Sequence, residues 1–131
     1  MHEWALAEAI VEAVWRSLSD KPVKQLSFLE VRIGELQSAD REILRFALRE
    51  LFEDRGIVVN RLRLKGEEAV LRCRSCGSLW KLSDLKVPDD AREAIHFIPE
   101  VFKVFISCKR CGSQDLEVVK GRGVYISSLK L

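Results

Sequence analysis

Cys73-Arg74-Ser75-Cys76-Gly77 and Cys108-Lys109-Arg110-Cys111-Gly112 are two CxxCG knuckles, and they hold all four cysteines of a 131-residue chain. No other feature limits the fold so sharply. Each knuckle turns the backbone so that two sulfurs face one centre. The glycine after the second cysteine permits a positive φ while amide N–H groups approach the sulfurs. Two knuckles together complete a tetrahedral S4 set, for which zinc is the default occupant and a structural role the default use. S4 geometry alone also admits an iron site of the rubredoxin kind, ranked behind zinc. Disulfides are disfavoured because nothing marks a secretory context. A thioredoxin-like redox pair would open a helix after a strand, whereas both motifs here follow β-rich runs and continue into a glycine turn. Arg72, Arg74, Lys109 and Arg110 are expected to offset part of the negative charge of a four-thiolate zinc site. The segment from about Ala69 to Gln114 is too small to be secure on its own core. Metal binding worth about 10–16 kcal/mol can supply the missing folding energy.

Around this module the hydrophobic pattern alternates between two periods. From Trp4 to Leu18, the apolar residues Leu6, Ile10, Val11, Val14, Trp15 and Leu18 recur at three and four, opposite Glu8, Glu12 and Arg16. That pattern predicts an amphipathic helix ending at Ser19-Asp20-Lys21-Pro22. Leu29, Val31 and Ile33 alternate with Glu30 and Arg32 in a strand over 25–35. Ser38 or Asp40 can cap a second helix carrying Ile43, Leu44, Ala47, Leu48 and Leu51, which stops at Gly56. A strand near 57–64 turns at Lys65-Gly66-Glu67 into a third over 69–73. Leu79 to Leu82 reads as the return strand of the first knuckle, and 87–93 as a polar loop. Phe102, Val104 and Ile106 alternate into Cys108, and Leu116 to Val119 leaves the second knuckle, so both cysteine pairs sit at hairpin tips as in zinc ribbons. The tail from Gly121 to Leu129 is too apolar to dangle and should return to the N-terminal sheet. The fold class is therefore α+β: two helices packed on a small β-sheet, with an inserted zinc-ribbon-like module. Residues 1–68 and 118–131 form the α/β domain, and 69–117 the zinc-binding domain.

The first three residues, Met1-His2-Glu3, place an imidazole one peptide bond from the α-amine. The amine, the deprotonated His2 amide and the ring Nδ1 can close a five-membered and a six-membered chelate ring in one plane, a nitrogen set that favours Ni(II) or Cu(II) over Mg(II) or Ca(II). A fourth position stays open to the Glu3 amide, a carboxylate, a distant histidine or a recipient protein, and an open position suits delivery better than storage. The other reading makes His2 and Glu3 the exposed first turn of a helix, with Glu3 near the positive end of its dipole. On the dipeptide alone the second reading is the commoner. Initiator methionine should be retained, because a residue as large as histidine at position 2 blocks its removal.

With 22 basic and 20 acidic residues largely interleaved, the net charge of +2 makes no strong electrostatic case for nucleic acid or a membrane surface. Acidic residues in the first twenty positions exclude a signal peptide, and no apolar run approaches the roughly 20 residues of a membrane span. The expectation is a soluble, cytoplasmic protein.

His2-Glu3, Val31-Arg32-Ile33-Gly34-Glu35-Leu36, the paired knuckles, His96-Phe97-Ile98-Pro99-Glu100 and Gly121-Arg122-Gly123-Val124-Tyr125 together resemble the hydrogenase nickel-incorporation accessory proteins, the HypA/HybF family. The order and spacing of these pieces carry the resemblance over essentially the whole chain. It implies a nickel metallochaperone that works with a nucleotide-hydrolysing partner, a GTPase or ATPase, to load the large subunit of [NiFe] hydrogenase. It further implies that His2, with the Met1 amine and nearby backbone, binds nickel, that Glu3 influences that site, and that Cys73, Cys76, Cys108 and Cys111 hold structural Zn(II). Ni(II) is then the transported cargo. Trp4 stands where many relatives carry a smaller aliphatic residue, a difference that bears on packing and leaves the donors intact.

His96 is the only other histidine. Its spacing suits an inert strand-end or loop residue, and the resemblance makes it equally a candidate fourth nitrogen for nickel. The chemistry expected is ligand exchange, with no catalysis. A zinc-ribbon nucleic-acid-binding module is the alternative, supported by the basic cluster at the knuckles and opposed by the lack of a continuous basic face. A catalytic zinc ranks last, since four cysteine ligands leave no position for water. The exposed side of the first helix, around Glu8, Glu12 and Arg16, is the expected partner surface.

Overall fold

Helix α1 (His2–Ser17) buries Ala7, Ile10, Val11 and Val14, the residues that recur at three and four along one face. Trp15, placed on that stripe by spacing, is 45% exposed. Its ring instead carries the Arg55 guanidinium 5.0 Å from its centroid. The helix closes as the Leu18 N–H donates to the Val14 carbonyl, and Ser19 then takes a left-handed φ of 45°. This computed structural model describes residues 2–19, 21–85 and 106–131.

Helix α2 (Arg41–Asp54) starts at Asp40, whose carboxylate accepts the N–H groups of Glu42 and Ile43 at 2.9 and 3.1 Å. Ser38, the other residue suited to cap it, instead ends the short 3-10 turn Glu35–Gln37. Leu44, Ala47, Leu48 and Phe52 form the buried face of α2. Gly56, at a φ of 73°, terminates the helix, and the Ile57 N–H returns to the Phe52 carbonyl.

Among the described residues there are eight strands, and two of the expected runs divide. The first run divides at Ser27 into β1 (Gln25–Leu26) and β2 (Phe28–Gly34). The second divides at Asn60 and Arg61 into β3 (Val58–Val59) and β4 (Leu62–Glu67). Hydrogen bonding explains the breaks: Ser27 donates to the Lys130 carbonyl, and Asn60 to that of Leu26. Strand β1 pairs in parallel with β3. The tail strand β8 (Val124–Lys130) runs antiparallel to β2, opposing Val31 to Ile126 and Ile33 to Val124, in a sheet ordered β4-β2-β8. Strands β5 (Val70–Cys73), β6 (Leu79–Lys81) and β7 (Leu116–Lys120) make a separate sheet ordered β6-β5-β7, antiparallel at both pairings. Ile106 to Cys108 carries no strand assignment, and Phe102 and Val104 lie outside the described residues.

The chain divides into two compact units. One comprises Met1–Ile33, Ala39–Lys65 and Val124–Leu131. Its core joins the buried faces of α1 and α2 to Leu26, Leu29, Val31, Ile33, Ile57, Val59, Leu62 and Leu64. Arg45 and Arg49 tie α2 to the strand backbone, donating to the carbonyls of Leu62 and Val59. The other unit comprises Gly34–Ser38 and Gly66–Gly123, with Leu36, Ala69, Leu71, Cys73, Leu85, Ile106, Cys108 and Leu116 buried together. Gly34–Ser38 belongs there through its bonds: the Gly34 N–H donates to the Gly123 carbonyl, that of Leu36 to Gly121, and the Glu35 carboxylate accepts the Ala69 N–H at 2.9 Å. No helix among the described residues is long and apolar enough to cross a membrane.

Candidate metal centres

The four cysteines converge. The sulfurs of Cys73, Cys76, Cys108 and Cys111 all lie within 4.8 Å of one another. Across the knuckles, Cys73 Sγ stands 3.5 Å from Cys111 Sγ, and Cys76 Sγ 3.7 Å from Cys108 Sγ. All four are free thiols. The knuckles are near copies in backbone. In the first, the Gly77 N–H donates to the Cys73 carbonyl and the Cys73 N–H to that of Ser78. In the second, Gly112 donates to Cys108 and Cys108 to Ser113. Gly77 and Gly112 adopt φ of 78° and 76°, so each reversal needs the residue without a Cβ.

Crowding makes these thiols unequal. Cys108 is lowered to about 5, chiefly by the Ser78 hydroxyl against the opposing effect of burial, with the N–H groups of Cys111 and Arg110 and the Trp80 indole adding to it. Cys76 is likewise lowered, first by Ser78. At Cys111 a backbone bond to Ser113 favours the thiolate, but the neighbouring sulfurs and desolvation outweigh it and push the thiol up to about 12. A cluster whose sulfurs cannot all carry charge together is what a central dication relieves, since a coordinating thiol is deprotonated outright. Four soft donors that together fill a tetrahedral set fit zinc in a structural site.

Of the basic residues flanking the knuckles, Arg72 and Arg74 turn to carboxylates. Arg72 Nη lies 3.6 Å from a Glu117 carboxylate oxygen, and Arg74 Nε 3.3 Å from Glu117 and 3.9 Å from Asp115. Groups that reach sulfur include the Ser78 hydroxyl, 3.0 Å from Cys76 Sγ and 3.3 Å from Cys108 Sγ, and the Arg110 N–H, 3.4 Å from Cys108 Sγ. Ser78 carries no metal-ligand signature of its own in the sequence. Its signal was the repeated CGS of both knuckles, with a tryptophan two residues further on only in the first.

At the other centre, His2 is the first residue of α1, and its Nδ1 stands 3.7 Å from Glu3 Oε2. Glu3, expected as an exposed first-turn residue in one reading, is only 4% exposed and is the buried charged residue among those described. Its carboxylate accepts the Asp40 N–H at 3.4 Å, so the residue that caps α2 also anchors the first turn of α1. The Glu3 carboxyl is held at about 2, first by hydrogen bonding to the amino-terminal charge, against burial, and further by backbone N–H groups and His2. Trp4 is partly exposed and meets Phe46 of α2 edge-on, with ring centroids 6.2 Å apart. On the outer side of α1, Glu12 pairs with Arg55 at 2.8 Å and Arg16 at 3.1 Å. The expectations for Met1 and His96 lie outside the described residues.

The sequence pattern of the family described as "Hydrogenase/urease nickel incorporation, metallochaperone, hypA" matches residues 1–131. Hydrogenase maturation factor HypA of Pyrococcus horikoshii is 47% identical over 133 residues, covering 100% of this chain and 96% of that protein. The HypA of Methanopyrus kandleri is 25% identical over 132 residues, covering 100% and 93%. Among solved structures, the solution structure of the Ni metallochaperone HypA from Helicobacter pylori superposes with a TM-score of 0.61 at 17% identity, over 100% of this chain and 97% of that one.

Proposed function

Because the chain belongs to the HypA family of hydrogenase and urease nickel-incorporation metallochaperones, we propose that it accepts Ni(II) at its first residues and passes it to the large subunit of [NiFe] hydrogenase. A nucleotide-hydrolysing maturation partner, a GTPase or ATPase, assists the transfer. The donors are the Met1 amine, the His2 amide nitrogen and His2 Nδ1. Cys73, Cys76, Cys108 and Cys111 hold structural zinc, a use of cysteine that suits the reducing cytoplasm.

The observation that carries this reading is that α1 begins at His2, with Nδ1 beside the buried Glu3 carboxylate. The first N–H groups of a helix have no carbonyl one turn back to accept them. A His2 amide that loses its proton to nickel therefore breaks no helical hydrogen bond. The helix start and the chelate, alternatives when read from the dipeptide, become compatible. The positive end of the helix dipole opposes a cation there. The amide anion and the Glu3 carboxylate, fixed by Asp40, supply the offsetting negative charge.

The exchange leaves a fourth coordination position for the recipient, and His96 is a candidate occupant before transfer. Since the amine, amide and imidazole must all lose protons to bind, nickel affinity falls as pH drops. The amine's role is tested by extending the chain by a single residue before Met1: nickel affinity should weaken, and equal affinity rejects the amine as a ligand. For His96, the His96→Ala protein should bind nickel with altered affinity or spectrum, alone or with the partner present. No change in either setting removes it from the donor set.

The basic cluster that would favour a nucleic-acid partner is engaged locally, Arg72 and Arg74 facing Glu117 and Asp115.

A further inference from the structure

The two knuckles share a backbone pattern yet differ at the serine that follows each. Ser113 Oγ accepts from the Ser75 hydroxyl at 2.9 Å and from the Asp115 N–H at 3.0 Å. Ser78 Oγ lies between two sulfurs, one from each knuckle: Cys76 Sγ at 3.0 Å and Cys108 Sγ at 3.3 Å. The indole N–H of Trp80 donates to the same oxygen at 3.0 Å. A hydroxyl owns a single proton and indole nitrogen only donates. With Trp80 filling a lone pair, the Ser78 proton is left to point at sulfur. Thiolates that hold a cation can only accept it.

We propose that Ser78, oriented by Trp80, is a positioning residue of the four-sulfur metal site, bridging Cys76 and Cys108 so that the two knuckles retain their metal together. This rests on the reading of the four cysteines as a zinc site. Groups that hydrogen-bond to metal ligands orient them and tune their donor strength, and losing one costs about 10–100-fold in metal affinity. The arrangement is asymmetric. Cys76 and Cys108 receive the serine hydroxyl, which withdraws electron density from their sulfurs, whereas the second knuckle turns its own serine away from the metal ligands.

Cobalt(II) substitution of the full-length protein reads this directly, because sulfur-to-cobalt charge-transfer bands report electron density on the thiolates. Ser78→Ala should move these bands to longer wavelength and speed zinc loss to a chromogenic chelator by about 10-fold. Ser78→Thr, which keeps the hydroxyl, should restore both. Trp80→Phe should shift both in the same direction, and Ser113→Ala should leave both unchanged. A Ser78→Ala protein with the parent spectrum and zinc release rate would overturn the proposal. So would a Ser78→Ala defect that Ser78→Thr fails to correct, since packing alone would then explain it. If the unsubstituted protein took up neither cobalt nor zinc at thiolates, the zinc reading itself would fall first.

Discussion

Stripping the metal from the four sulfurs should unfold the knuckle unit and leave the helical unit standing. The described apolar core of the knuckle unit includes five large aliphatic side chains, Leu36, Leu71, Leu85, Ile106 and Leu116. At about 1.5–3 kcal/mol for each such side chain buried, they contribute roughly 10 kcal/mol. Zinc on four thiolates contributes about 10–16 kcal/mol. The metal thus matches or exceeds the aliphatic core, and either quantity is as large as the roughly 5–15 kcal/mol net stability of an ordinary domain. Metal removal also leaves sulfurs packed 3.5 and 3.7 Å apart without the cation between them, two of them on the buried residues Cys73 and Cys108. The core under α1 and α2 contains no cysteine among its described residues. Amide hydrogen exchange read by mass spectrometry, before and after chelation, is the assay. Val70–Cys73, Leu79–Lys81 and Leu116–Lys120 should lose protection, while the buried turns of α1 and α2 keep theirs. Full protection of Val70–Cys73 after complete zinc loss would refute the reasoning.

Other outcomes follow from individual contacts. Glu3→Ala removes the buried carboxylate that accepts the Asp40 N–H and should lower stability by about 1.5–3 kcal/mol, the range for a hydrogen bond to a charged group, measurable by chemical denaturation. Since Glu3 is lowered from 4.5 to about 2 on folding, its ionised form stabilises the protein fully above about pH 4.5, and that contribution is lost as pH falls toward 2. Glu3→Gln should therefore flatten the acid dependence of thermal unfolding within that window in nickel-free protein. Gly121→Ala should destabilise the knuckle unit by roughly 3 kcal/mol, combining a left-handed φ of 85° with a Cβ placed 2.5 Å from Ala69 Cα, and thermal denaturation with zinc bound checks it.

Much of this was legible because the governing patterns are local. Three-and-four spacing located most of the buried faces of both helices, although Trp15 and Ile43 on those stripes are exposed, and the paired CxxCG motifs announced the sulfur cluster before any contact was known. What escaped depends on partners distant in sequence. Nothing around Ser27 reveals that its N–H will meet the Lys130 carbonyl, and so divide the strand run. Gly34–Ser38 reads as the end of a strand, yet bonds to Ala69, Gly121 and Gly123 place it in the knuckle unit. Proximity in sequence suggested that Arg72 and Arg74 would face the sulfurs, but side chains on a strand alternate, so Arg72 meets Glu117 across the ladder, and Arg74, just past the strand end, meets Glu117 and Asp115. Glu3 looked like a solvated first-turn carboxylate, and its burial follows from α2 starting beside it, a tertiary fact. Ser78 was visible as a residue but not as a sulfur partner, because the CGS repeat is the same in both knuckles and only tertiary packing separates their serines.

The most direct test of the central claim is a nickel titration of the untagged, zinc-loaded protein with its native Met1, followed by absorption spectroscopy and repeated with His2→Ala. Saturable, stoichiometric binding with a square-planar spectrum that the substitution abolishes is expected. Binding that is absent, or that His2→Ala leaves unchanged, would contradict it.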